Sequence, residues 1–381
     1  MSKLALHGGS PVSDRPIPIA CPVFSTDEIE AAAAVLRSGA VRQGPWVERF
    51  EQEFARTVGS RHACAVSSGT AALHVAYLAT LQPGDEIIVP AFTFIATAAA
   101  AAFAGARPIF ADIDPLTFTV DPEDVERKLT PRTRAIAPVH LFGNAADMGA
   151  IVRIASARRL FIIGDLAQSH LTKIDGKDVG SFDHLNCYSF YPTKNMTTTE
   201  GGMITTNDDE LCEKMKLLRS HGQAGKYYHT MLGLNYRMTD VAAAIGVLQL
   251  EKLPANTRKR QRNAAFLSEH LKDIEGIQVP VVREGVEHTF HQYSILLERG
   301  RFSCSRDEFA AALRAENIEC AVHYPVPLTR QPVFREAAGS CPVAEEISER
   351  VLSLPVHPHL DMADLERVVE GVRKVASYYR S

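Results

Sequence analysis

The stretch ACAVSSGTAALHVAYLATLQPGDEIIVP, residues 63–90, determines the fold class predicted from this sequence. It begins as a short apolar strand that runs into a Ser/Gly turn. It continues as an apolar helix over 71–81 and returns to an apolar strand over 85–90. Strands that are apolar on both faces are typical of a parallel sheet covered by helices on each side. The stretch therefore predicts a β–α–β unit of an α/β protein.

The same alternation continues on both sides of this stretch. Helices are predicted upstream over 25–39, which opens on a Ser-Thr-Asp cap signal and ends at Gly39, and over 46–59. An Ala-rich helix follows residue 90. Further strands are predicted at 107–114, 135–143 and 159–165, with helices at 121–129 and 147–158. This order favours a mostly parallel sheet between two layers of helices.

The pattern changes after residue 205, where strands become fewer and helices longer. An amphipathic helix is predicted over 238–253, capped by Thr239 or Asp240, and a separate charged helix follows over about 255–273. The remaining predicted elements are an extended stretch at 291–298 and helices at 306–316 and 362–378.

A chain of 381 residues is long enough for two domains. We expect an N-terminal arm and large domain over 1–253, and a smaller α+β domain over 254–381. The apolar content of 46% is ordinary for a globular protein. The net charge of −4 gives no global basic field for nucleic acid or an anionic membrane, so neither is an expected partner.

The cysteines and the N-terminal residues indicate the cellular compartment in which the protein is expected. The seven cysteines are scattered and form no C-x-x-C pair, which fits reduced thiols in the cytoplasm and argues against a structural zinc site. MSKLALHGGSPVSDRP lacks the apolar core of a signal peptide, and no stretch approaches the length that spans a bilayer. We therefore expect a cytoplasmic protein without a metal.

Three features along the chain carry chemistry, and each alone has an ordinary explanation. Ser67-Ser68-Gly69-Thr70 precedes an apolar helix, so it is either a phosphate cradle or a simple N-cap. Asp165 ends an apolar strand, where it holds a ligand cation or caps the next helix. Lys194, in SFYPTKN, is either a solvated side chain or a buried nucleophile.

Taken together, these features match the needs of one cofactor. Pyridoxal 5′-phosphate requires helix N–H groups and hydroxyls for its phosphate, an anion for its ring nitrogen and a neutral amine for its aldehyde. Ser68, Gly69 and Thr70 would serve the phosphate, Asp165 the ring nitrogen and Lys194 the aldehyde. The sequence thus predicts pyridoxal phosphate chemistry.

Several motifs, in this order along nearly the whole chain, carry a resemblance to a known family. They are SSGTAALHVAYLA, GDEIIVPAFTFIATA, PVHLFG, DLAQSH, SFYPTKN and LGLNYRMTDVAAAIGVLQLEKL. The chain resembles the DegT/DnrJ/EryC1/StrS aminotransferases. The resemblance implies fold-type I, with a mostly parallel seven-stranded sheet in the large domain. It also implies a transaminase that moves an amino group from glutamate to a keto-sugar, usually nucleotide-linked.

The resemblance further implies roles for single residues. Lys194 would form the Schiff base and shuttle a proton, while Asp165 would pair with the ring nitrogen. Gln168 would lie near the ring hydroxyl and Phe94 would stack on the ring. The phosphate would be held by Gly69, Thr70 and Ser189, beside Ser68. Asn235 would reach the phosphate in the neighbouring subunit, so the site would be shared within a homodimer.

Two alternatives stay open. A sugar dehydratase of the same fold usually has histidine at the lysine position, so Lys194 favours transamination. The other alternative is a regulator that only binds ligand. Four histidine and tyrosine side chains are more simply structural than catalytic, namely His140, His291, His323 and Tyr324.

Some positions depart from the family pattern. Thr199 and Glu200 lie where a glycine-rich loop is expected after the lysine, and Leu171 lies where glycine is common. Thr329 lies near a position that often holds histidine. The first two departures concern loop geometry and the last concerns a substrate contact.

Overall fold

A seven-stranded sheet forms the centre of the protein in a computed structural model that describes residues 3–182, 184–335 and 339–380. The strands are β1 (His62–Val66), β2 (Glu86–Pro90), β3 (Arg107–Ala111), β4 (Thr133–Ile136), β5 (Phe161–Asp165), β6 (Leu185–Ser189) and β7 (Gly202–Thr206). Their order across the sheet is β1-β7-β6-β5-β4-β2-β3. Only β7 runs antiparallel to its neighbours, β1 and β6, within this sheet. The prediction of a mostly parallel sheet is confirmed.

Helices flank this sheet and continue into the C-terminal part of the chain. They are α1 (Thr26–Ser38), α2 (Pro45–Val58), α3 (Gly69–Thr80), α4 (Ala96–Phe103), α5 (Pro122–Lys128), α6 (Met148–Arg158), α7 (Asp209–Arg219), α8 (Asp240–Leu271), α9 (Arg306–Ala315), α10 (Pro342–Arg350) and α11 (Met362–Tyr379). Short 3-10 helices are Ala5–His7, Leu141–Gly143, Val179–Phe182, Leu328–Arg330 and Pro332–Phe334.

Apolar side chains on both faces of the strands explain why the sheet is buried between helices. In β2, Ile87 and Val89 contribute to one hydrophobic cluster, whereas Ile88 between them contributes to another. In β5, Ile163 contributes to the first of these clusters and Ile162 to the second. This alternation follows from the two-residue period of a strand, and it places a core on each face.

A second, three-stranded sheet lies in the C-terminal part. It consists of β8 (Ile277–Gln278), β9 (Tyr293–Leu297) and β10 (Val351–Leu354), with β9 in the middle. Leu4 and Ile17 pack in the hydrophobic cluster of this part, together with residues from α9 and α11. Two small ladders complete the strands: Gln223–Gly225 with Tyr228–His229, and Lys173–Ile174 with Lys177–Asp178 and Val286–Glu287.

Two predicted elements differ from the structure. The helices expected over 238–253 and 255–273 are one helix, α8, which begins after the Thr239 cap and contains Pro254. Proline removes one backbone donor but does not end this helix, because both of its halves pack against neighbouring elements. The boundary between 1–253 and 254–381 falls inside α8, and the domain division remains a prediction.

The strand expected over 135–143 is also shorter than predicted. β4 ends at Ile136, and the chain forms a 3-10 turn at Leu141–Gly143 with Phe142 at φ 60°. Apolar residues continue through this turn because it is buried, so hydrophobicity alone does not mark the end of the strand.

Candidate active site

A cavity of about 500 Å³ opens at the carboxyl-terminal edge of the central sheet. Its wall includes the last residues of β5 and β6, and the first residues of α3 after β1. The carboxyl ends of strands in open α/β sheets form the usual ligand crevice. Every site residue predicted from the sequence except Asn235 lines this cavity: Ser68, Gly69, Thr70, Phe94, Asp165, Gln168, Ser189 and Lys194.

The N-terminus of α3 makes a close contact with the end of β6. Ser68 is the N-cap, and its Oγ accepts a hydrogen bond from the Ala71 N–H at 3.1 Å. A Cβ added at Gly69 would lie 2.7 Å from Cβ of Ser189, so a side chain does not fit there without movement. The first N–H groups of a helix carry partial positive charge. This end of α3 therefore forms a cradle suited to an anion.

Asp165 is buried and accepts hydrogen bonds from two donors. Thr97 Oγ1 donates to Asp165 Oδ2 at 2.8 Å, and the Ala167 N–H donates to Oδ1 at 3.1 Å. Burial raises the pKa of the Asp165 carboxyl, whereas the two hydrogen bonds and the positive charge of Lys194 lower it. Sequence reasoning missed Thr97, although it lies in the quoted stretch GDEIIVPAFTFIATA.

Lys194 lies in the turn that follows β6 and lines the same cavity. Its N–H donates to the Tyr191 carbonyl at 2.9 Å, and its side chain is half-buried where it meets the cavity. Burial lowers the pKa of the Lys194 amine to about 8, while the charge of Asp165 acts in the opposite direction. An appreciable fraction of the amine is therefore neutral near neutral pH, and a neutral amine is a nucleophile.

Gln168 connects the end of β5 to an aromatic group on the cavity wall. Its Oε1 accepts from the Phe142 N–H at 2.8 Å, and its Nε2 donates to the Tyr324 hydroxyl oxygen at 2.9 Å. Phe94 faces the Tyr324 ring at a centroid distance of 6.1 Å and remains 55% exposed. An apolar ring with that much exposure inside a cavity is available to pack against a planar ligand.

Comparison with known proteins identifies the family. The model of the DegT/DnrJ/EryC1/StrS aminotransferase family matches residues 22–373. This chain belongs to that family. A UDP-N-acetyl-3-dehydro-alpha-D-glucosamine 3-aminotransferase of Acidithiobacillus ferrooxidans is 41% identical to this aminotransferase over 85% of the chain and 87% of the relative. A pleiotropic regulatory protein of Geobacillus stearothermophilus is 42% identical over 91% and 92%.

Solved structures give the same assignment for the fold. DesV of S. venezuelae, in complex with a ketimine intermediate, superposes on this aminotransferase with a TM-score of 0.90. The two are 36% identical over 95% of this chain and 99% of DesV. The PLP form of a putative sugar aminotransferase from Streptococcus pneumoniae is 26% identical, with a TM-score of 0.89 over 95% and 99%. The predicted family and fold are confirmed.

The aminotransferase cavity also contains side chains that sequence reasoning assigned to structural roles. His291, His323 and Tyr324 all line it. Burial, followed by the charge of Lys194, lowers the pKa of His291 well below its ordinary value and that of His323 to about 4. Both imidazoles are therefore neutral at pH 7. His140 is different, because it is buried outside the cavity lining and accepts from the Ala146 N–H at 3.2 Å.

Asn235 does not line the cavity of its own chain. It is exposed, follows the ladder at 223–229 and pairs with Ser220 in an isolated bridge. Large apolar side chains nearby are exposed to solvent in this chain, with Tyr227 at 85% and Leu232 at 95%. The predicted role of Asn235 toward a neighbouring subunit stays a prediction.

Two of the departures from the family pattern have a backbone consequence. Thr199 has a φ of 71° and Leu171 a φ of 64°, so both adopt the left-handed conformation that favours glycine. The third departure, Thr329, is buried in the 3-10 turn Leu328–Arg330 and does not line the cavity.

The described part of the chain has no membrane-spanning helix and no cluster of metal ligands. None of its helices is long and apolar enough to cross a membrane. No group of three His, Cys, Asp or Glu side chains in it could hold a metal ion. All seven cysteines are free thiols.

Proposed function

We propose that this protein transfers an amino group to the ketone of a nucleotide-linked sugar, with pyridoxal 5′-phosphate as its cofactor. The observation that carries the proposal is the single cavity in which a lysine of lowered pKa, a buried carboxylate and an anion cradle meet. When bound, this cofactor supplies an electron sink for reactions at an amino-bearing carbon. The PLP form of the Streptococcus pneumoniae relative supports the assignment.

The residues present fit each part of the cofactor. The cradle at Gly69 and Thr70, with the Ser68 and Ser189 hydroxyls, suits a phosphate because it offers N–H and O–H donors. Asp165 provides a buried anion for a protonated ring nitrogen, and Gln168 has an amide beside it for the ring hydroxyl.

Lys194 would be the catalytic residue in this reaction. Its amine must lose a proton before it attacks a carbonyl carbon, and burial favours that neutral form. When it is not bound to the cofactor aldehyde, the same amine would hold and move a proton at the reacting carbon of the substrate. A pKa of about 8 suits a group that both accepts and donates a proton near neutral pH.

Asp165 and Phe94 would orient and polarise the ring. The Thr97 hydroxyl and the Ala167 N–H fix the carboxylate oxygens, so the anion needs no reorganisation when a cation binds. Phe94 presents its exposed ring face to the same space. Buried Asp165 keeps its proton more readily than a solvated aspartate, and a protonated ring nitrogen would restore the charged form.

The proposed acceptor follows from the relatives. The Acidithiobacillus ferrooxidans relative is named for transfer to a 3-keto UDP-sugar. A cavity of about 500 Å³ is within the range that holds a cofactor and a sugar unit. We further propose glutamate as the amino donor and the cytoplasm, where free cysteines are typical, as the location.

We also propose a homodimer in which Asn235 completes the neighbouring site. Asn235 is exposed and does not line the cavity of its own chain, while Tyr227, Tyr228 and Leu232 near it in sequence expose apolar surface. Apolar side chains exposed to this extent are typical of surface that a partner covers. A two-fold contact would supply Asn235 to each site in turn.

One relative supports a second candidate function. The Geobacillus stearothermophilus protein is named a pleiotropic regulatory protein, so a ligand-binding regulator of this fold is a specific alternative. The sugar dehydratase alternative has no comparable support, because Lys194 is present at the position that distinguishes the two reactions.

Mass spectrometry of the nucleotide sugar tests the proposal directly. The purified protein is incubated with pyridoxal phosphate, glutamate and 3-keto or 4-keto nucleotide sugars, beside Lys194→Ala. Conversion of the ketone to an amine by the native protein, but not by Lys194→Ala, supports transamination. Loss of water from the sugar would instead support the dehydratase. Lysine-independent binding without turnover would support the regulator.

A further inference from the structure

The Gln168 side chain is held at both ends of its amide. Its Oε1 accepts a hydrogen bond from the Phe142 N–H at 2.8 Å, and its Nε2 donates to the Tyr324 hydroxyl oxygen at 2.9 Å. A backbone N–H can only donate, so the amide atom that faces Phe142 must be the oxygen. The orientation of this amide is therefore fixed by its partners, with the nitrogen toward Tyr324.

Both partners of the amide are themselves held by packing. Phe142 is 3% exposed and lies in the 3-10 turn Leu141–Gly143, and its carbonyl accepts from the Gln292 N–H at 3.2 Å. The Tyr324 ring packs beside Phe92 and Phe94, at centroid distances of 6.0 and 6.1 Å. The Tyr324 hydroxyl therefore has a defined position, although it comes from the C-terminal part of the chain.

Only one polar hydrogen of the Gln168 side chain is left for a ligand. An amide nitrogen carries two hydrogens, and one of them is donated to Tyr324. The other has no acceptor among the residues that the structure describes. Gln168 lines the main cavity, and its oxygen is already engaged. Toward a ligand in this cavity, the amide is therefore a donor and not an acceptor.

Tyr324 is suited to accept the hydrogen bond from this amide. Burial, followed by the charge of Asp165, raises the pKa of its hydroxyl above the ordinary value, whereas the hydrogen bond from Gln168 lowers it. Tyr324 therefore stays a neutral phenol near neutral pH. The other titratable side chains of the cavity wall are Asp165, Lys194, Glu200, His291 and His323.

We propose that Tyr324 is a positioning residue that holds the Gln168 amide as a fixed donor to the ring hydroxyl oxygen of the cofactor. This inference rests on the function proposed above. A donor that is already in place stabilises negative charge on that oxygen without reorganisation. A hydrogen bond to the charged form lowers the pKa of the group that receives it, so Tyr324 would lower the pKa of the cofactor bound at Lys194.

Removal of single hydroxyl groups provides the test variant and its control. Tyr324→Phe removes the acceptor of the Gln168 amide and keeps the ring beside Phe92 and Phe94. Tyr293→Phe is the matched control, because Tyr293 is buried, its hydroxyl contacts Ser268 Oγ at 3.0 Å and it does not line the cavity. Gln168→Met and the double variant Tyr324→Phe/Gln168→Met complete the set.

The visible absorption band of the lysine-bound cofactor, titrated with pH in the absence of substrate, is the first measurement. Tyr324→Phe should raise its midpoint by about 0.5 to 1 pH unit, as expected when one hydrogen bond is weakened. Tyr293→Phe should leave the midpoint unchanged. The double variant should match Gln168→Met, because Tyr324 acts through that amide.

A cofactor analogue that lacks the ring hydroxyl gives a second measurement, which needs no substitution of Gln168. Tyr324→Phe should weaken the binding of pyridoxal phosphate about fivefold and leave the binding of 3-deoxypyridoxal phosphate unchanged. Equal weakening for both compounds would overturn the inference, because a general loss of structure affects them alike.

The outcomes also separate this inference from the function on which it rests. Equal midpoints in Tyr324→Phe and the native protein would overturn the role of Tyr324 and leave the proposed function intact. A midpoint in the double variant above that of Gln168→Met would show a direct effect of Tyr324, which contradicts action through the amide. A native protein without any lysine-dependent band would overturn both.

Discussion

The charges of Asp165 and Lys194 shift each other's pKa across one cavity, and burial opposes the charged form of both. Burial lowers the pKa of Lys194 to about 8, while the charge of Asp165 raises it. For Asp165, burial raises the pKa and the charge of Lys194 lowers it. Each group therefore limits the effect of burial on the other. The pair keeps an amine near its titration point beside a carboxylate that stays available to a cation.

The first prediction concerns the reactivity of Lys194. Acylation of this amine in the cofactor-free protein should rise with pH around a midpoint of about 8. Asp165→Asn should shift the midpoint to lower pH, because it removes the charge that stabilises the ammonium. Mass spectrometry of the Lys194 peptide after limited acylation measures both midpoints, with the exposed Lys272 peptide as an internal reference. A native midpoint near the ordinary value of about 10.4 would contradict the burial of this amine.

The second prediction links the same amine to stability. The pKa of Lys194 in the folded protein, about 8, is below the value of about 10.4 expected when the chain is unfolded. The folded state therefore binds its proton less tightly, and the contribution of Lys194 to stability falls as pH decreases from about 10.4 to about 8. Lys194→Met should be more stable than the native protein at pH 7, with the difference vanishing by about pH 10.4. Denaturant unfolding of both proteins across this range provides the measurement, and a pH-independent difference would contradict the linkage.

The third prediction concerns the loop after the lysine. Thr199 is exposed and left-handed at φ 71°, so Thr199→Gly should stabilise the protein by about 1 kcal/mol. Thr198→Gly is the matched control and should destabilise it, because Thr198 is fully buried and its Oγ1 donates to the Glu200 carbonyl at 2.8 Å. Thermal unfolding of the two variants gives the comparison. Destabilisation by Thr199→Gly would mean that the threonine side chain contributes more than its backbone costs.

The site residues that lie at strand ends and in turns could be predicted from the sequence. Asp165 and Ser189 end β5 and β6, and Ser68 caps α3, so the topology of a parallel sheet brings them to one edge. Lys194 follows β6 in the same way. These positions are determined by local pattern and chain order, both of which can be read directly.

The remaining parts depend on packing between distant segments. His323 and Tyr324 come from the C-terminal part of the chain and reach the cavity only through tertiary contacts, such as that between Tyr324 and Gln168. The single helix α8 was predicted as two because Pro254 is an ordinary break signal, whereas packing on both sides keeps it intact. The left-handed conformation of Thr199 was also beyond prediction from its residue type.

The fourth prediction tests the anion cradle. Gly69→Ala would place a Cβ 2.7 Å from Cβ of Ser189, so α3 or β6 must shift. We expect the affinity for pyridoxal phosphate to fall about tenfold or more, which corresponds to about 1.4 kcal/mol. Fluorescence titration of the cofactor measures the affinity, and Thr80→Ala, at the other end of α3, is the control.

The double variant Gly69→Ala/Ser189→Gly separates steric displacement from loss of a ligand group. Removing the Ser189 Cβ relieves the contact, so thermal stability should return toward the native value even though one hydroxyl is lost. Unchanged cofactor affinity in Gly69→Ala would show that the start of α3 does not hold the phosphate.

The last prediction tests whether two chains form each site. Lys194→Ala and Asn235→Ala should each be nearly inactive, because one lacks the nucleophile and the other the residue proposed to act in the partner's site. When the two variants are unfolded together and refolded, half of the dimers should be mixed, and each mixed dimer should contain one site with both native residues. Activity should therefore return to about a quarter of the native value. Refolding either variant alone is the control, and size-exclusion chromatography with light scattering establishes the dimer. If the mixture stays inactive while native protein recovers under the same treatment, Asn235 serves its own chain or has no role in the site.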